Sequence, residues 1–327
     1  MIIVRSPLRI SLGGGGTDFE SYYSENEGHL LSASIDKYVY VTLIKPFTDG
    51  FFLKYSELEK TNDIMKIRHP IIRETLNFIF PEIKKLEITT LADIPSGTGL
   101  GSSGSFTTAF IAALYAYKGH YIEKLKLAEI ACDIEIKKLN QPIGKQDQYI
   151  SAFGGINSMI FKKNGDVRIK PLIIPEEAIH ELDDNLLLFF TGFSRHSSKI
   201  LLDQDNKSKL KDKTMFENLN YIKSLGLQSK IALESNNIKE FAKIMHEHWL
   251  FKKERSKGIS NNIINQLYDL GYKNGALGGK LVGAGGGGFL MFYAQDKKKL
   301  RTAMAEAGLE EMRFKLEYEG TKVILRS

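Results

Sequence analysis

The chain has 327 residues, with 45 Lys and Arg against 39 Asp and Glu, a net charge of +6. A hydrophobic share of 43% and a charged share of 26% describe a globular chain of one or two domains, and so mild a positive balance suits an anionic small ligand rather than nucleic acid. A single cysteine, Cys132, excludes an internal disulfide, and no apolar run approaches the ~18 residues of a membrane span, so no membrane partner and a cytoplasmic setting are expected.

Residues 1–12 read as a strand restricted by Pro7. Residues 37–45, KYVYVTLIK, are β-branched and aromatic and predict a second; 51–55 and 86–91 predict two more. The stretch 70–80 is helical in pattern between Pro70 and Pro81. From Ser103, residues Phe106, Phe110, Ala113, Leu114 and Tyr117 recur at helical spacing up to Gly119, and 122–139 predict another helix stopped before Pro142. Residues 155–174 predict a hairpin turning at Asn164-Gly165. A polar stretch, 175–185, precedes the buried strand LLLFFTG, after which 212–274 reads almost wholly helical. Strands are predicted at 278–283, 288–293, 311–317 and 321–326, with a helix at 295–307. The alternation has no regular βαβ repeat, which predicts an α+β chain in two domains, 1–180 and 181–327. The lysine runs at 207–213 and 297–299 read as solvated helix faces.

Glycine clusters at 13–16, 97–104 and 283–288. Glycine loses much conformational freedom on folding, so three such loops need a reason, and close approach of backbone to an anion or to another backbone is the usual one. The middle loop opens a helix whose free amides and dipole make an anion site, and Ser102, Ser103 and Ser105 add hydroxyls. Gly99, Gly101 and Gly104 spell G-x-G-x-x-G, so a dinucleotide fold is a rival. Residues 92–96 separate that loop from the preceding strand, and the acid at the required distance, Glu123, falls in a helical pattern. The Walker pattern and the protein-kinase H-R-D and D-F-G motifs are absent. A purely structural turn remains the alternative for any one loop. His246-Glu-His248 is not H-E-x-x-H, so no zinc is expected, and Trp249 beside it reads as core or cleft wall.

Taken together, three segments resemble the signatures of the GHMP superfamily of small-molecule kinases. They are RSPLRISLGGGGTD from Arg5, PSGTGLGSS from Pro95, and KLVGAGGGGF from Lys280. The resemblance implies an N-terminal domain like domain 2 of ribosomal protein S5, a ferredoxin-like C-terminal domain, and use of ATP with Mg2+. It places Pro95, Gly97, Gly99, Leu100, Gly101, Ser102, Ser103, Gly104 and Ser105 on the nucleotide phosphates, and Ser103 with Glu135 on the metal. It also places Asp147 at the acceptor hydroxyl and Arg9 beside the transferred phosphate. Gly14, Gly15, Thr17, Asp18, Gly285 and Gly286 would line the acceptor site. Within the superfamily, GGGGTD, LSASIDKYVYVTL, GKQDQYISAFGG and FTGFSRHSSKIL are most similar to the branch that phosphorylates sugars at the anomeric hydroxyl. A heptose 7-phosphate is the implied acceptor and its 1,7-bisphosphate the product. An unphosphorylated sugar such as fucose or galactose stays open, as does a nucleotide-binding sensor without catalysis. A monomer or homodimer is expected.

Each implied residue has a plainer alternative. Glu135 would be a solvated helix glutamate, Asp147 a cap of the next short helix, Arg9 a surface ion-pair partner, and Asp18 the cap of a helix through Tyr22 and Tyr23. Arg195, among the hydroxyls of SRHSS, has the geometry-free chemistry to hold a distal sugar phosphate, and a polar surface turn is its alternative.

Overall fold

The computed structural model describes residues 1–193 and 198–327. Its first sheet is built on two long strands, β1 (Ile2–Gly14) and β2 (Gly28–Ile44), antiparallel along almost their full length. At β2 the sheet forks. Its first half pairs with β6 (Ile156–Phe161), which carries β7 (Val167–Pro171) outside it. Its second half pairs with β5 (Lys85–Ala92), followed by the parallel β3 (Gly50–Lys54) and then β4 (Leu58–Thr61). The last strand, β12 (Lys322–Arg326), returns to pair with β1, so the chain ends in the sheet where it began.

The sequence pattern reveals only the second half of β2. Residues 28–36 hide because buried serines interrupt the apolar run, and each is satisfied locally: Ser32 donates to the Ile10 carbonyl at 3.0 Å and Ser34 to that of Ile150 at 3.1 Å.

The second sheet is antiparallel, in the order β11 (Glu310–Met312), β8 (Leu186–Phe190), β10 (Phe289–Ala294), β9 (Ala276–Leu281). Strand β10 is buried at every residue. The expected strand 311–317 ends at Met312, because the Lys315 amide turns back to Asp36 and Leu316 bridges to Ile35 of the first sheet.

Helices α1 (Glu20–Tyr23), α2 (Pro70–Ile79), α3 (Ser102–Tyr117), α4 (Lys124–Cys132) and α5 (Gln146–Phe153) belong to the first half. The polar stretch 175–185 is itself a helix, α6 (Glu176–Asn185), which buries only Ala178 and Leu182. Then come α7 (Ser198–Lys209), which the reading of 212–274 leaves out, α8 (Lys213–Glu234), α9 (Ile238–Arg255), α10 (Asn262–Lys273) and α11 (Lys297–Glu306). The chain is therefore α+β with two sheets. Helix α3 is buried on nearly all sides and touches β1 and β2, while α8 and α9 also reach β1. Trp249 is fully buried, packed with Tyr268 and Phe292. Among the described residues no helix is long and apolar enough to cross a membrane.

Candidate active site

All three glycine loops open onto one cleft of about 1170 Å³ between the two sheets' loops. The head of α3 forms its floor. Gly101 precedes the helix in the left-handed region (φ 80°), no side chain caps it, and the Ser102 hydroxyl is buried without a partner. Uncapped amides at a helix start carry partial positive charge toward the cleft.

The second and third glycine loops touch backbone to backbone. A Cβ on Gly283 (φ 75°) would stand 2.5 Å from the Gly99 carbonyl oxygen, and one on Gly99 would stand 2.7 Å from that of Val282. Of the two reasons for clustered glycine, this pair of loops therefore uses close backbone packing, which joins the halves at the cleft.

Arg9 projects from β1 across the head of α3. Its Nε donates to Asp147 Oδ1 at 2.7 Å, its Nη2 to Asp147 Oδ2 at 3.0 Å, and its Nη1 to the Gly99 carbonyl at 2.5 Å. The Arg9 side chain is 5% exposed, so it is no surface ion-pair partner; Asp147 keeps 27% exposure toward the cleft. The pair rests on glycine, since a Cβ on Gly104 would lie 2.8 Å from Asp147 Cβ. Asp147 sits in the first turn of α5 but does not cap it.

Asp18 does not cap α1 either. Its Oδ1 accepts from the Gly16 amide and its Oδ2 from the Gln146 amide, both at 3.1 Å, which ties the first glycine loop to the helix bearing Asp147. Burial and the neighbouring charge of Asp147 raise the Asp18 carboxyl above its ordinary range, against the lowering effect of those amides.

Glu135 is fully buried rather than solvated. It lies in a π-helical turn, Asp133–Lys138, that continues α4, a local widening of the helix that re-aims side chains. Its Oε1 accepts from the Ser103 hydroxyl and its Oε2 from Gln148 Nε2 at 2.8 Å. Burial lifts its carboxyl to about 7, opposed by the Ser103 and Gln148 hydrogen bonds. A serine hydroxyl on the cleft backed by a carboxylate is a hard-oxygen pair, and it fits a Mg2+ that takes its remaining oxygens from phosphate and water.

The opposite wall is cationic. Lys252 and Arg255 of α9 and Lys280 of β9 are all buried and line the cleft. Lys252 donates to the carbonyls of Leu281 (2.8 Å) and Gly283 (2.5 Å), which holds the third glycine loop. Arg255 donates to the Gly15 carbonyl (3.3 Å), Gln204 Oε1 (3.2 Å) and Asn218 Oδ1 (3.1 Å), yet its Nη2 has no partner among the described residues. Among the described residues Lys280 Nζ has none at all. Burial, with Arg9 and Arg255 nearby, depresses the Lys280 ammonium to about 7.

Several residues assigned from sequence turn away from the cleft. Leu100 is core, though its carbonyl accepts from the Arg9 amide. The Ser105 hydroxyl meets Pro7, Gly101 and Ser151, and that of Thr17 donates to the His29 carbonyl at 2.9 Å, so both are structural. Pro95 and Gly286 do not line the cleft, whereas Gly14, Gly15, Gly97, Gly99, Gly101, Ser102, Ser103, Gly104 and Gly285 do. Arg195 falls outside the described residues. His248 is a buried neutral anchor on the Gly14 carbonyl. Sequence reasoning missed Gln148, Lys252 and Arg255. Lys280 heads the third signature, a signal that was available without a role attached to it.

Residues 67–155 match the family model of the GHMP kinases N terminal domain, and residues 229–310 that of the GHMP kinases C terminal domain. The chain is 33% identical to D-glycero-alpha-D-manno-heptose 7-phosphate kinase of Campylobacter jejuni, over 91% of each chain. It is 26% identical to L-fucokinase/L-fucose-1-P guanylyltransferase of Bacteroides fragilis, over 89% of this chain and 34% of that longer protein. The crystal structure of a D-glycero-D-manno-heptose 1-phosphate kinase from Bacteroides thetaiotaomicron matches with a TM-score of 0.83 and 26% identity, over 100% of both chains. The chain belongs to the GHMP kinase family and, with it, to the ATP-dependent phosphotransferases.

Proposed function

We propose that this GHMP kinase is a sugar 1-kinase that transfers the γ-phosphoryl group of ATP to the anomeric hydroxyl of D-glycero-D-manno-heptose 7-phosphate, forming the 1,7-bisphosphate. The observation that carries this reading is the two-point Arg9–Asp147 pair resting on Gly101 and Gly104 at the head of α3. The relative from Campylobacter jejuni supports the acceptor.

ATP's polyphosphate lies against the α3 amides and residues 97–104, where positive backbone ends face it. Ser103 and Glu135 would hold Mg2+, which when bound would supply charge neutralisation on the nucleotide phosphates. Asp147 accepts the hydrogen bond of the acceptor hydroxyl and points its oxygen at the γ-phosphorus in line with the leaving group. A carboxylate is a weak base toward an alcohol, so Asp147 contributes mainly alignment. Arg9 fixes both Asp147 oxygens and sets a positive charge beside the equatorial phosphoryl oxygens, where negative charge grows in the transition state. Asp18 holds the acceptor's ring hydroxyls while keeping α5 in place. Transfer is direct: the oxygen–γ-phosphorus bond forms as the β,γ-bridge breaks, ADP leaves, and the hydroxyl proton passes to Asp147 or solvent.

The names of the two heptose kinases differ in the phosphate they mention, so the acceptor is the point to test. ADP release should be measured with heptose 7-phosphate, heptose 1-phosphate, fucose and galactose, with 31P NMR of the product. We expect turnover with the 7-phosphate and a new anomeric phosphate signal. Turnover only with the 1-phosphate, or only with fucose or galactose, would replace this acceptor.

A further inference from the structure

The cationic wall has no role in the phosphoryl transfer just described. Arg9 is paired with Asp147 at the transferred group, and the nucleotide phosphates have the α3 amides. Among the described residues, Lys252, Lys280 and Arg255 form no ion pair, although Asp18 lies close enough to Arg255 for its charge to be felt. Lys252 is committed to two carbonyls. That leaves two orphaned donors facing one cleft, Nη2 of Arg255 and Nζ of Lys280, on side chains 9% and 1% exposed in residue terms.

Burying a cation without a partner is costly, and such a group persists where a ligand completes it. Two buried cations with free donors call for a ligand of at least two negative charges with several acceptor oxygens, which describes a phosphate monoester. Anchorage separates Arg255 from the transferred group, while Lys280 is near enough to Arg9 to feel its charge. Arg255 is anchored to Gly15 and Gln204, at the first glycine loop, while Asp147 and the α3 head meet across Gly101 and Gly104. Arg255 thus stands at the first glycine loop, beside Asp18 and outside the Arg9–Asp147 pair.

We propose that Arg255 and Lys280 bind a phosphate that the acceptor already carries, remote from its reacting hydroxyl, and so select phosphorylated over free sugars. The proposal rests on the kinase reading above and assigns the recognition to α9 and β9. The charge economy agrees: the depressed Lys280 ammonium regains its proton when a dianion arrives.

The test is a ratio. kcat/KM is measured for the phosphorylated acceptor and for the same sugar without phosphate, in wild type, Arg255→Met and Lys280→Met, with KM for ATP alongside. Wild type should favour the phosphorylated sugar by ~100-fold or more, and each variant should shrink that preference about tenfold to a hundredfold, the effect of one charge-assisted hydrogen-bond donor. An equal fall on both sugars, or a rise in KM for ATP in place of that for the acceptor, would assign the pair to the nucleotide and overturn the proposal. A wild type without preference overturns it independently of whether either variant folds. Absence of ADP release with every sugar would instead refute the kinase reading, and this proposal with it.

Discussion

The two walls of the cleft handle charge in opposite ways. On the N-terminal wall each charge has a partner within the protein: Arg9 with Asp147, Glu135 with Ser103 and Gln148, Asp18 with two backbone amides. On the C-terminal wall three buried cations share no carboxylate ion pair among the described residues, and two have free donors. A wall whose charges are paired in the absence of ligand is pre-organised and sets geometry. A wall left unsatisfied stores a penalty that an anion relieves, so it sets affinity and selectivity. Mutations on the first should therefore act mainly on kcat, and mutations on the second mainly on acceptor KM.

The largest break should come from Asp147→Asn. The amide keeps the shape of the side chain but loses the charge that fixes Arg9 and accepts from the substrate hydroxyl. We expect kcat to fall about 10²–10⁴-fold with little change in acceptor KM. Steady-state kinetics beside a thermal melt checks this; a rise in KM with kcat intact would make Asp147 a binding residue only.

Glu135→Gln should come next. It keeps one acceptor oxygen, its new NH2 can donate to the Gln148 Oε1 once that amide turns, and a negative oxygen is removed from the proposed metal site. The Mg2+ concentration for half-maximal rate should rise about tenfold to a hundredfold, a ligand-level effect. Titrating Mg2+ at saturating ATP tests it, and an unchanged Mg2+ curve would remove Glu135 from the site.

Gly283→Ala probes the seam between the walls. Its left-handed backbone and the Gly99 carbonyl oxygen, 2.5 Å from where a Cβ would stand, leave no space for a methyl group. About 1–3 kcal/mol of stability should be lost, with kcat lowered because the α3 loop moves. A melting temperature within error of wild type would show that the two loops are not packed as described.

The same contrast explains what could be seen in the sequence. Strands β3, β5 and β10 and helix α3 announce themselves by period and composition, and the glycine signatures mark the paired wall. What stayed hidden depends on three-dimensional partners. Residues 28–36 look half polar because serines bond inward, and the local pattern around Glu135, which the family resemblance picks out beside Ser103, shows nothing of the burial that the π-helical turn gives it. Lys252 and Arg255 sit in KKER at the end of α9, a string that reads as a solvated helix end. Only the fold against the first glycine loop buries them. Burial of a charge is set by tertiary contacts, and a local pattern carries no record of it.

Both walls titrate near neutrality, with opposite sign, which yields the smallest and most specific prediction. The Glu135 carboxyl is raised to about 7 from an ordinary 4.5. Its folded value exceeds its unfolded one, so its stabilisation is complete below about 4.5 and is lost as pH rises through 7. The Lys280 ammonium is depressed to about 7 from 10.5. Its folded value is below its unfolded one, so its stabilisation is present above about 10.5 and is lost as pH falls through 7. Without metal or ligand, the protein carries both penalties together near pH 7. In EDTA, Glu135→Gln should therefore raise the melting temperature by a few degrees at pH 7 and above but not near pH 4.5, while Lys280→Met should raise it at pH 7 and below, with the gain fading toward pH 10. Adding the phosphorylated acceptor should stabilise wild type more than Lys280→Met. If the two variants shift the melting curve with the same pH dependence, the assignment of a buried acid to one wall and a buried cation to the other fails.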